Sequence, residues 1–431
     1  MINIFWFRRD LRLEDNVGLH HALQAGEPVL PVFIFDTDII SELPEDDARI
    51  TFIHTLLAKI DADLQRKGTS LAVFKGKPVE VFKQLIAENE IKAIYTNRDY
   101  EPYAQLRDSA VAAMLKSRGI DFYTFKDHVI FEKDDIVKDN GEPYVVYTPY
   151  ARKWKAALNK NPITPYADAD FSGKSASHSY VFPSLQELGF TATDITARAA
   201  EMLPDVISNY KNTRDFPAIS GTSSLSPHLR FGAVSIRNLA NAALQSAEQT
   251  FLSELIWREF FMQILWHFPQ TVSKSFRPQY DNIRWRNNET EFAKWCEGNT
   301  GYPIVDAGMR ELNATGLMHN RVRMITASFL CKHLLIDWRW GEAYFALKLL
   351  DYEQASNVGN WQWAAGSGVD AAPYFRIFNP SEQVKKFDKE LKYIRKWIAE
   401  FNELSYPQPI VDHKEARERC LRVYKEALAN R

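Results

Sequence analysis

The apolar residues of the first 125 positions fall into short runs that alternate with segments of helical periodicity. The predicted strands are residues 2–7, 29–36, 70–74, 93–96 and 122–125, and the predicted helices are residues 50–67, 78–89 and 102–118. Alternation of strands and helices favours a parallel sheet with helices on both faces. The first part of the chain is therefore predicted to be a doubly wound α/β domain.

After this part the pattern changes twice. Residues 126–190 are rich in Pro, Ser, Gly, Asp and Tyr, with a short helical patch at Trp154, and predict a connection that runs over the surface. Apolar residues then recur every three or four positions, which predicts helices at residues 251–268, 302–315, 320–336 and 341–350. We predict an α/β domain at residues 1–128, an interdomain linker at 129–190 and an all-α domain at 191–431.

Composition narrows the class of protein. The chain has 431 residues, 45% of them hydrophobic and 25% charged, with a formal net charge of -2, so it has enough apolar residues for a large core and carries no basic tail. No apolar run is long enough to span a bilayer, and the start lacks a secretory pattern. The three cysteines are far apart and show no metal-ligand spacing. We expect a cytoplasmic protein without a metal site.

Tryptophan is unevenly distributed. Nine of the eleven tryptophans lie between Trp257 and Trp397, interleaved with Asn, Arg and Asp. Indoles pack well, but polar groups buried beside them need hydrogen-bond partners. This part of the chain therefore predicts a pocket for a large aromatic ligand with a polar periphery.

Two amides sharpen that prediction. Asn320 shares a face of its predicted helix with Arg323, and Asn357 lies one turn from Trp361. A buried amide needs donors and acceptors, which the edge of a heteroaromatic ring supplies. Arg323 is also expected to reach Asp351, and such a pair is most often structural.

A carboxylate lies beside an indole on the predicted helix 251–268. Glu254 and Trp257 are close enough to face one ligand, whereas Glu254 and Arg258 have the spacing of an ordinary helical ion pair. Both interpretations stay open from the spacing alone.

The hydroxyl-rich residues 222–226 precede a predicted helix, with Ser226 expected as N-cap and Pro227 in the first position. Such a helix start binds phosphate through free N–H groups, but simple capping explains the same residues.

Several motifs together resemble one family. They are WFRRDLR at residues 6–12, GTS at 221–223, ELIWREF at 254–260, TGYPIVDA at 300–307, MHNR at 318–321 and the segment 361–380. In this order they resemble the DNA photolyase/cryptochrome family. Within it, MHNRVRM at 318–324 is similar to the class I cyclobutane pyrimidine dimer photolyases.

The resemblance implies that the all-α domain binds FAD. Asn357 would then lie against the flavin ring, where an amide favours the reduced form through hydrogen bonding. The residues that the resemblance assigns to the cofactor are Tyr210, Thr222, Ser223, Leu225, Ser226, Trp257, Arg258, Asn320, Arg323, Asp351, Glu353 and Asn357.

It also implies light-driven repair of cyclobutane pyrimidine dimers, with UV-damaged DNA as the partner. Excited reduced FAD would give an electron to a dimer flipped out of the duplex, and Glu254 would stabilise the resulting radical anion. The residues assigned to the lesion are Glu254, Trp257, Asn320, Met324 and Trp363, and those assigned to flanking phosphates are Arg214 and Arg321.

Trp361, Trp338 and Trp285 match the family's chain for photoreducing the flavin, although ordinary core packing explains each of them as well. Around residues 97–103 the chain resembles members with a deazaflavin antenna more than those with folate, so a deazaflavin, a second flavin or no antenna is expected. We expect a monomer. The alternatives are a cryptochrome-type blue-light photoreceptor and a six-four photolyase.

Overall fold

The computed structural model describes residues 1–176, 180–201 and 204–429. They form two compact units. The first unit comprises Met1–Asp135, Ala156–Met202 and Ser224–Gln245, and the second comprises Ile136–Lys155, Leu203–Ser223 and Ser246–Arg431. The predicted functional boundaries at residues 128 and 190 stay a prediction.

The first unit is built on a five-stranded parallel sheet. Its strands β1 to β5 lie in the order β3-β2-β1-β4-β5. Their bounds are β1 (Ile2–Phe7), β2 (Val29–Asp36), β3 (Ala72–Gly76), β4 (Ile91–Asn97) and β5 (Asp121–Phe125). In the central β1, Phe5 pairs with Pro31 of β2 and Tyr95 of β4. The sheet confirms the predicted α/β fold, and its inner strands β1, β2 and β4 are mostly apolar and buried because a doubly wound sheet is covered on both faces.

Helices connect these strands and continue beyond them. Those between the strands are α1 (Val17–Gln24), α2 (Thr37–Ile40), α3 (Ala48–Gln65), α4 (Pro78–Glu88) and α5 (Pro102–Lys116). They are followed by α6 (Tyr147–Lys160), α7 (Pro204–Thr213), α8 (Ser226–Arg230) and α9 (Ile236–Gln245). The α8 and α9 helices belong to the first unit, and α7 belongs to the second.

The remaining helices all belong to the second unit. They are α10 (Thr250–His267), α11 (Glu289–Glu297), α12 (Pro303–Thr315), α13 (Asn320–Ser328), α14 (Trp338–Lys348), α15 (Gln354–Ala365), α16 (Pro380–Phe387), α17 (Lys392–Trp397) and α18 (His413–Ala429). In the part of the chain that the structure describes, this unit is helical, as predicted. No helix among the described residues has the length and apolarity needed to cross a membrane.

Most described residues of the segment 126–190 are exposed or half-buried, in agreement with the predicted course over the surface, but a few are fully buried. Phe171 is 1% exposed, and its neighbour Ala169 donates a backbone hydrogen bond to Leu13 of the first unit. In the second unit, Trp154 of α6 is equally buried and donates its indole N–H to Glu259 at 2.6 Å. The polar composition of this segment gives no sign of the few large apolar side chains that pack into the core and hold it in place.

Two predicted helix limits also need correction. Ser226 is not an N-cap: it is the first residue of α8, and Leu225 precedes the helix without a side-chain hydrogen bond. The helix predicted to reach residue 336 ends at Ser328 and continues as a π-helical turn, Phe329–His333. Apolar spacing does not register such a change of pitch, because the residues on both sides remain buried.

Candidate functional site

A cavity in the second unit is bounded by α13, α14, α15 and the turn between α14 and α15. Eight residues predicted for the site line it together, namely Asn320, Arg323, Met324, Asp351, Glu353, Asn357, Trp361 and Trp363. Helices α13 and α15 and the turn before α15, which lie close together in the sequence, thus place amides, carboxylates and indoles around one space. Their individual roles remain predictions.

One wall of the cavity is held by an ion pair. Arg323 Nη2 donates to both carboxylate oxygens of Asp351, at 2.8 and 3.1 Å, while its Nε donates to the Met318 carbonyl at 2.7 Å. The predicted Arg323–Asp351 pair is therefore present. The pair connects α13 to the turn before α15. It therefore stabilises this wall of the cavity, whatever its role in binding a ligand.

Asn357 is oriented by a residue that the sequence patterns did not single out. Its amide nitrogen donates to the Glu342 side chain at 3.0 Å and to the Glu342 carbonyl at 3.1 Å. Burial raises the pKa of Glu342. Because both bonds use the NH₂ group, the amide oxygen is the atom left to accept a hydrogen bond in the cavity. An acceptor there suits a protonated ring nitrogen.

Glu353 has a local structural task. Its side chain accepts a hydrogen bond from the Ser356 backbone N–H at 2.9 Å and so caps α15, the helix that carries Asn357. Its predicted contact with the cofactor remains a prediction.

The helix α15 carries two indoles, Trp361 and Trp363, that both border the cavity. Successive helical residues point about 100° apart, so the two side chains leave the helix in nearly opposite directions. Between them, Gln362 donates to the Thr271 carbonyl and accepts from the Phe276 N–H, both at 2.8 Å. Trp361 is buried, at 2% exposure, and Trp363 is half-buried. A satisfied amide thus fixes the rotation of the helix.

The three predicted redox tryptophans all belong to one hydrophobic cluster. Trp361 and Trp338 are core members, and the half-buried Trp285 packs against them. Trp361 also contacts Phe345, with ring centroids 5.0 Å apart, and Trp295 at 6.1 Å. Core packing is therefore real for each, and the redox role stays a prediction.

The carboxylate of Glu254 on α10 has a partner outside its own helix. Arg214 forms an ion pair with it, and each side chain is about one-third exposed. Burial raises the pKa of Glu254, and Arg214 opposes that rise. A pairing with Arg258 is therefore not needed to satisfy this carboxylate. Arg258 is half-buried on the same helix, and its role in binding the cofactor remains a prediction.

The other predicted DNA contact is also engaged. Arg321 donates to Asp215 at 2.7 Å and lies 4.4 Å over the Phe387 ring. Both arginines assigned to phosphates are thus paired with carboxylates in the second unit. Each arginine can bind a phosphate only if its ion pair opens or if its guanidinium contacts the carboxylate and the phosphate at the same time.

The predicted phosphate-binding residues divide between the two units. Tyr210 lies in the second unit with its ring edge-on to Phe251 at 5.2 Å, and Thr222 and Ser223 belong to the same unit. Leu225 and Ser226 belong to the first. Their common role stays a prediction.

Comparison with known proteins identifies the class. A family model described as "FAD binding domain of DNA photolyase" matches residues 251–405, and one described as "DNA photolyase" matches residues 3–168. The first of these matches spans the whole cavity. The fold and site therefore define a flavoprotein whose helical part is an FAD-binding domain.

Similar proteins agree on a single family. A deoxyribodipyrimidine photo-lyase of Synechococcus is 37% identical over 99% of this chain and 97% of its own. The crystal structure of a class III photolyase from Agrobacterium tumefaciens superimposes with a TM-score of 0.89, at 35% identity, covering 100% of this chain and 98% of that one. A photolyase from Sulfolobus tokodaii, solved with two FAD molecules, gives 0.85 at 35% identity, covering 99% and 100%. The chain belongs to the DNA photolyase family.

Proposed function

We propose that this protein is a deoxyribodipyrimidine photo-lyase that repairs cyclobutane pyrimidine dimers in UV-damaged DNA with light. The observation that carries the proposal is the composition of the cavity. Met324 and Trp363, the predicted lesion residues, line the same space as Asn320, Arg323 and Asn357, the predicted flavin residues. A base extruded into that space would therefore lie within electron-transfer distance of the cofactor.

The donor set suits FAD. Reduced FAD, when bound and excited, supplies one electron to the dimer and takes it back after the ring has split. The Asn357 oxygen is an acceptor for the flavin edge, and the Arg323–Asp351 pair provides a charged wall. Glu353 holds the start of α15 and thereby the position of Asn357.

The lesion would be bound by groups on α10, α13 and α15. Trp257 and Trp363 offer indole faces for stacking, and Glu254 offers a carboxyl group to the pyrimidine edge. Arg214 and Arg321 would contact the flanking phosphates. In the free protein both are held by acidic residues, so binding would exchange carboxylate partners for phosphates.

Photoreduction of the flavin would use Trp361, Trp338 and Trp285. Burial supports Trp285 as the outer member: Trp361 and Trp338 are 2% and 1% exposed, whereas Trp285 is half-buried. Oxidising equivalents would therefore move from the cavity towards more exposed positions.

A second chromophore is proposed for the first unit, of deazaflavin or flavin type. Its place would be the carboxyl end of the sheet, where Tyr103 donates to Asp36 at 2.6 Å. The neighbouring Arg9 is bound to Asp99 and Glu101. The absorption spectrum of the purified protein, after FAD is released and counted, distinguishes deazaflavin, a second flavin and no antenna.

We further propose a cytoplasmic monomer. The three cysteines are all free thiols, as expected in a reducing compartment.

The deciding experiment uses the purified protein with reduced FAD and DNA that contains one defined lesion. Separate reactions with a cyclobutane dimer and a six-four product are illuminated or kept dark. We expect loss of the cyclobutane dimer in light only. Loss of the six-four product instead would favour the six-four alternative, and no repair of either lesion by the flavin-loaded protein would favour a photoreceptor.

A further inference from the structure

Tyr147 lies flat against Trp257. The two ring centroids are 3.7 Å apart and the planes differ by 5°, so the phenol covers one face of the indole. Tyr147 begins α6, Trp257 lies in the middle of α10, and both belong to the second unit. No motif or periodicity marks Tyr147, since its partner lies far along the chain.

Tyr147 is held in place at both ends. Its hydroxyl donates to the Ser253 carbonyl at 2.8 Å, one turn before Trp257, and its backbone N–H donates to Asp370 at 3.3 Å. Its ring also meets Phe260 edge-on at 5.9 Å. Burial raises the pKa of Tyr147, so the hydroxyl stays a donor at neutral pH.

Two further ring contacts of Trp257 come from its own helix. Phe260 meets the indole edge-on at 5.6 Å, and Phe261 lies 5.5 Å away at 29°. Tyr147 therefore ties the indole plane to a second element. An indole fixed in this way loses less rotational freedom when a base stacks on it.

We propose that Tyr147 is a positioning residue for lesion recognition, which fixes the plane of Trp257 and leaves an extruded pyrimidine dimer only the indole surface that the phenol does not cover. This proposal rests on the proposed function. The opposite arrangement is a phenol that occupies the place of the base and has to leave. Anchoring at both the hydroxyl and the backbone favours the positioning role, because a departing ring would break the bond to Ser253.

The test compares two variants. Tyr147→Leu removes the aromatic ring, and Tyr147→Phe keeps the stack without the hydroxyl. Binding is measured in the dark on one duplex with and without a single cyclobutane dimer. We expect Tyr147→Leu to weaken binding to the dimer about two- to tenfold, the range of a lost aromatic pair, with no change on undamaged DNA. Tyr147→Phe should retain most of the discrimination.

A double-mutant cycle with Trp257→Leu separates this role from general damage. In that background Tyr147→Leu should have no further effect on dimer binding. Unchanged discrimination in Tyr147→Leu would overturn the proposal, and tighter binding would show instead that the phenol competes with the base.

A second measurement needs no lesion. The protein is labelled with 5-fluorotryptophan, and the Trp257 resonance is assigned from Trp257→Phe. Tyr147→Leu should shift or broaden that resonance, while Tyr123→Leu, which removes an exposed tyrosine of β5, should not. If the Trp257 resonance does not change in Tyr147→Leu, the positioning role is refuted, whether or not the protein binds dimers. If the unaltered protein does not bind dimers, that result alone refutes only the proposed function.

Discussion

Glu254 and Arg214 form an ion pair between α10 and the end of α7, so the carboxylate proposed for the lesion is bound to the arginine proposed for a phosphate. Asp215, the next residue, raises the pKa of Glu254, whereas Arg214 lowers it. When Arg214 turns to a phosphate, Glu254 loses its main counter-charge. Binding of the DNA backbone and protonation of the carboxyl group are therefore coupled through this pair.

Replacing Arg214 with Gln should weaken DNA binding and reduce its salt dependence. Loss of one phosphate contact lowers the slope of log K against log salt by about 0.9. Titrating the binding constant between low and moderate salt, on damaged and undamaged duplexes, measures this slope. Arg339→Gln is a matched control, because Arg339 has a similar exposure and is paired with Asp281. Equal slopes for the two variants would remove Arg214 from the DNA interface.

Replacing Glu254 with Ala should lower the yield of repair per photon while FAD remains bound. In its proposed role the carboxyl group stabilises charge on the dimer, and one such hydrogen bond is worth about 1.5–3 kcal/mol. Quantum yield and FAD stoichiometry are measured together. Glu382→Ala removes an exposed carboxylate of α16 as control. Loss of FAD from the Glu254 variant would show that the pair with Arg214 is mainly structural.

The apolar pattern located the sheet because parallel strands covered on both faces are mostly apolar, as β1 and β2 are. It also located the helix that carries Asn320, but it predicted no helix over α15, which carries Asn357 and Trp361. Their convergence on one cavity was anticipated from the tryptophans and the two amides and from the family resemblance, not from apolar spacing, which describes each helix separately.

The partners of these residues were not predictable in the same way. Glu342 orients Asn357, Gln362 locks the rotation of α15, and Tyr147 covers Trp257. Each of these contacts joins residues that are separated in the chain or differ in chemical type. Local motifs and apolar spacing therefore do not reveal it. The buried anchors within residues 126–190 were not predicted for the same reason: Phe171 and Trp154 are isolated apolar residues in a polar segment.

Replacing Glu342 with Leu should lower the reduction potential of the bound flavin. Without the Glu342 carboxylate the Asn357 amide keeps only its bond to the backbone carbonyl of residue 342 and is held less firmly, so in the proposed site its oxygen would accept less well from the reduced ring. One neutral hydrogen bond of about 1 kcal/mol corresponds to roughly 20 mV for a two-electron couple. Redox titration of the holoprotein measures the shift. Glu342→Gln, which can still accept from Asn357, should restore most of it, and equal potentials in both variants would contradict the orienting role.

Replacing Gly341 with Ala should slow photoreduction of the flavin. A Cβ atom at this position would collide with the Trp361 ring and come within 2.6 Å of Leu330, so the indole has to move. We expect about 1–3 kcal/mol of destabilisation from overpacking. Gly359→Ala is the control, since its Cβ meets Phe261 instead. Photoreduction is measured in the presence of an external electron donor. Trp361→Phe serves as the reference for a chain that lacks its first tryptophan. Equal photoreduction rates in Gly341→Ala and Gly359→Ala would show that the effect comes only from the lower stability of the fold.

Acid should destabilise the second unit through His333. This buried imidazole shares a 2.8 Å hydrogen bond with the ring of His413. Arg419 and Lys332 are cationic neighbours. Burial, followed by the charges of His413, Arg419 and Lys332, lowers the pKa of His333 from 6.5 to about 3. Its contribution to stability is therefore complete above pH 6.5 and is lost as the pH falls towards 3, by about 2–3 kcal/mol at pH 4.5. Urea unfolding at pH 7, 5.5 and 4.5 should show a shallower loss for His333→Gln, which can still hydrogen-bond His413 but does not titrate. Parallel losses in the two proteins would mean that His333 does not set the acid limit.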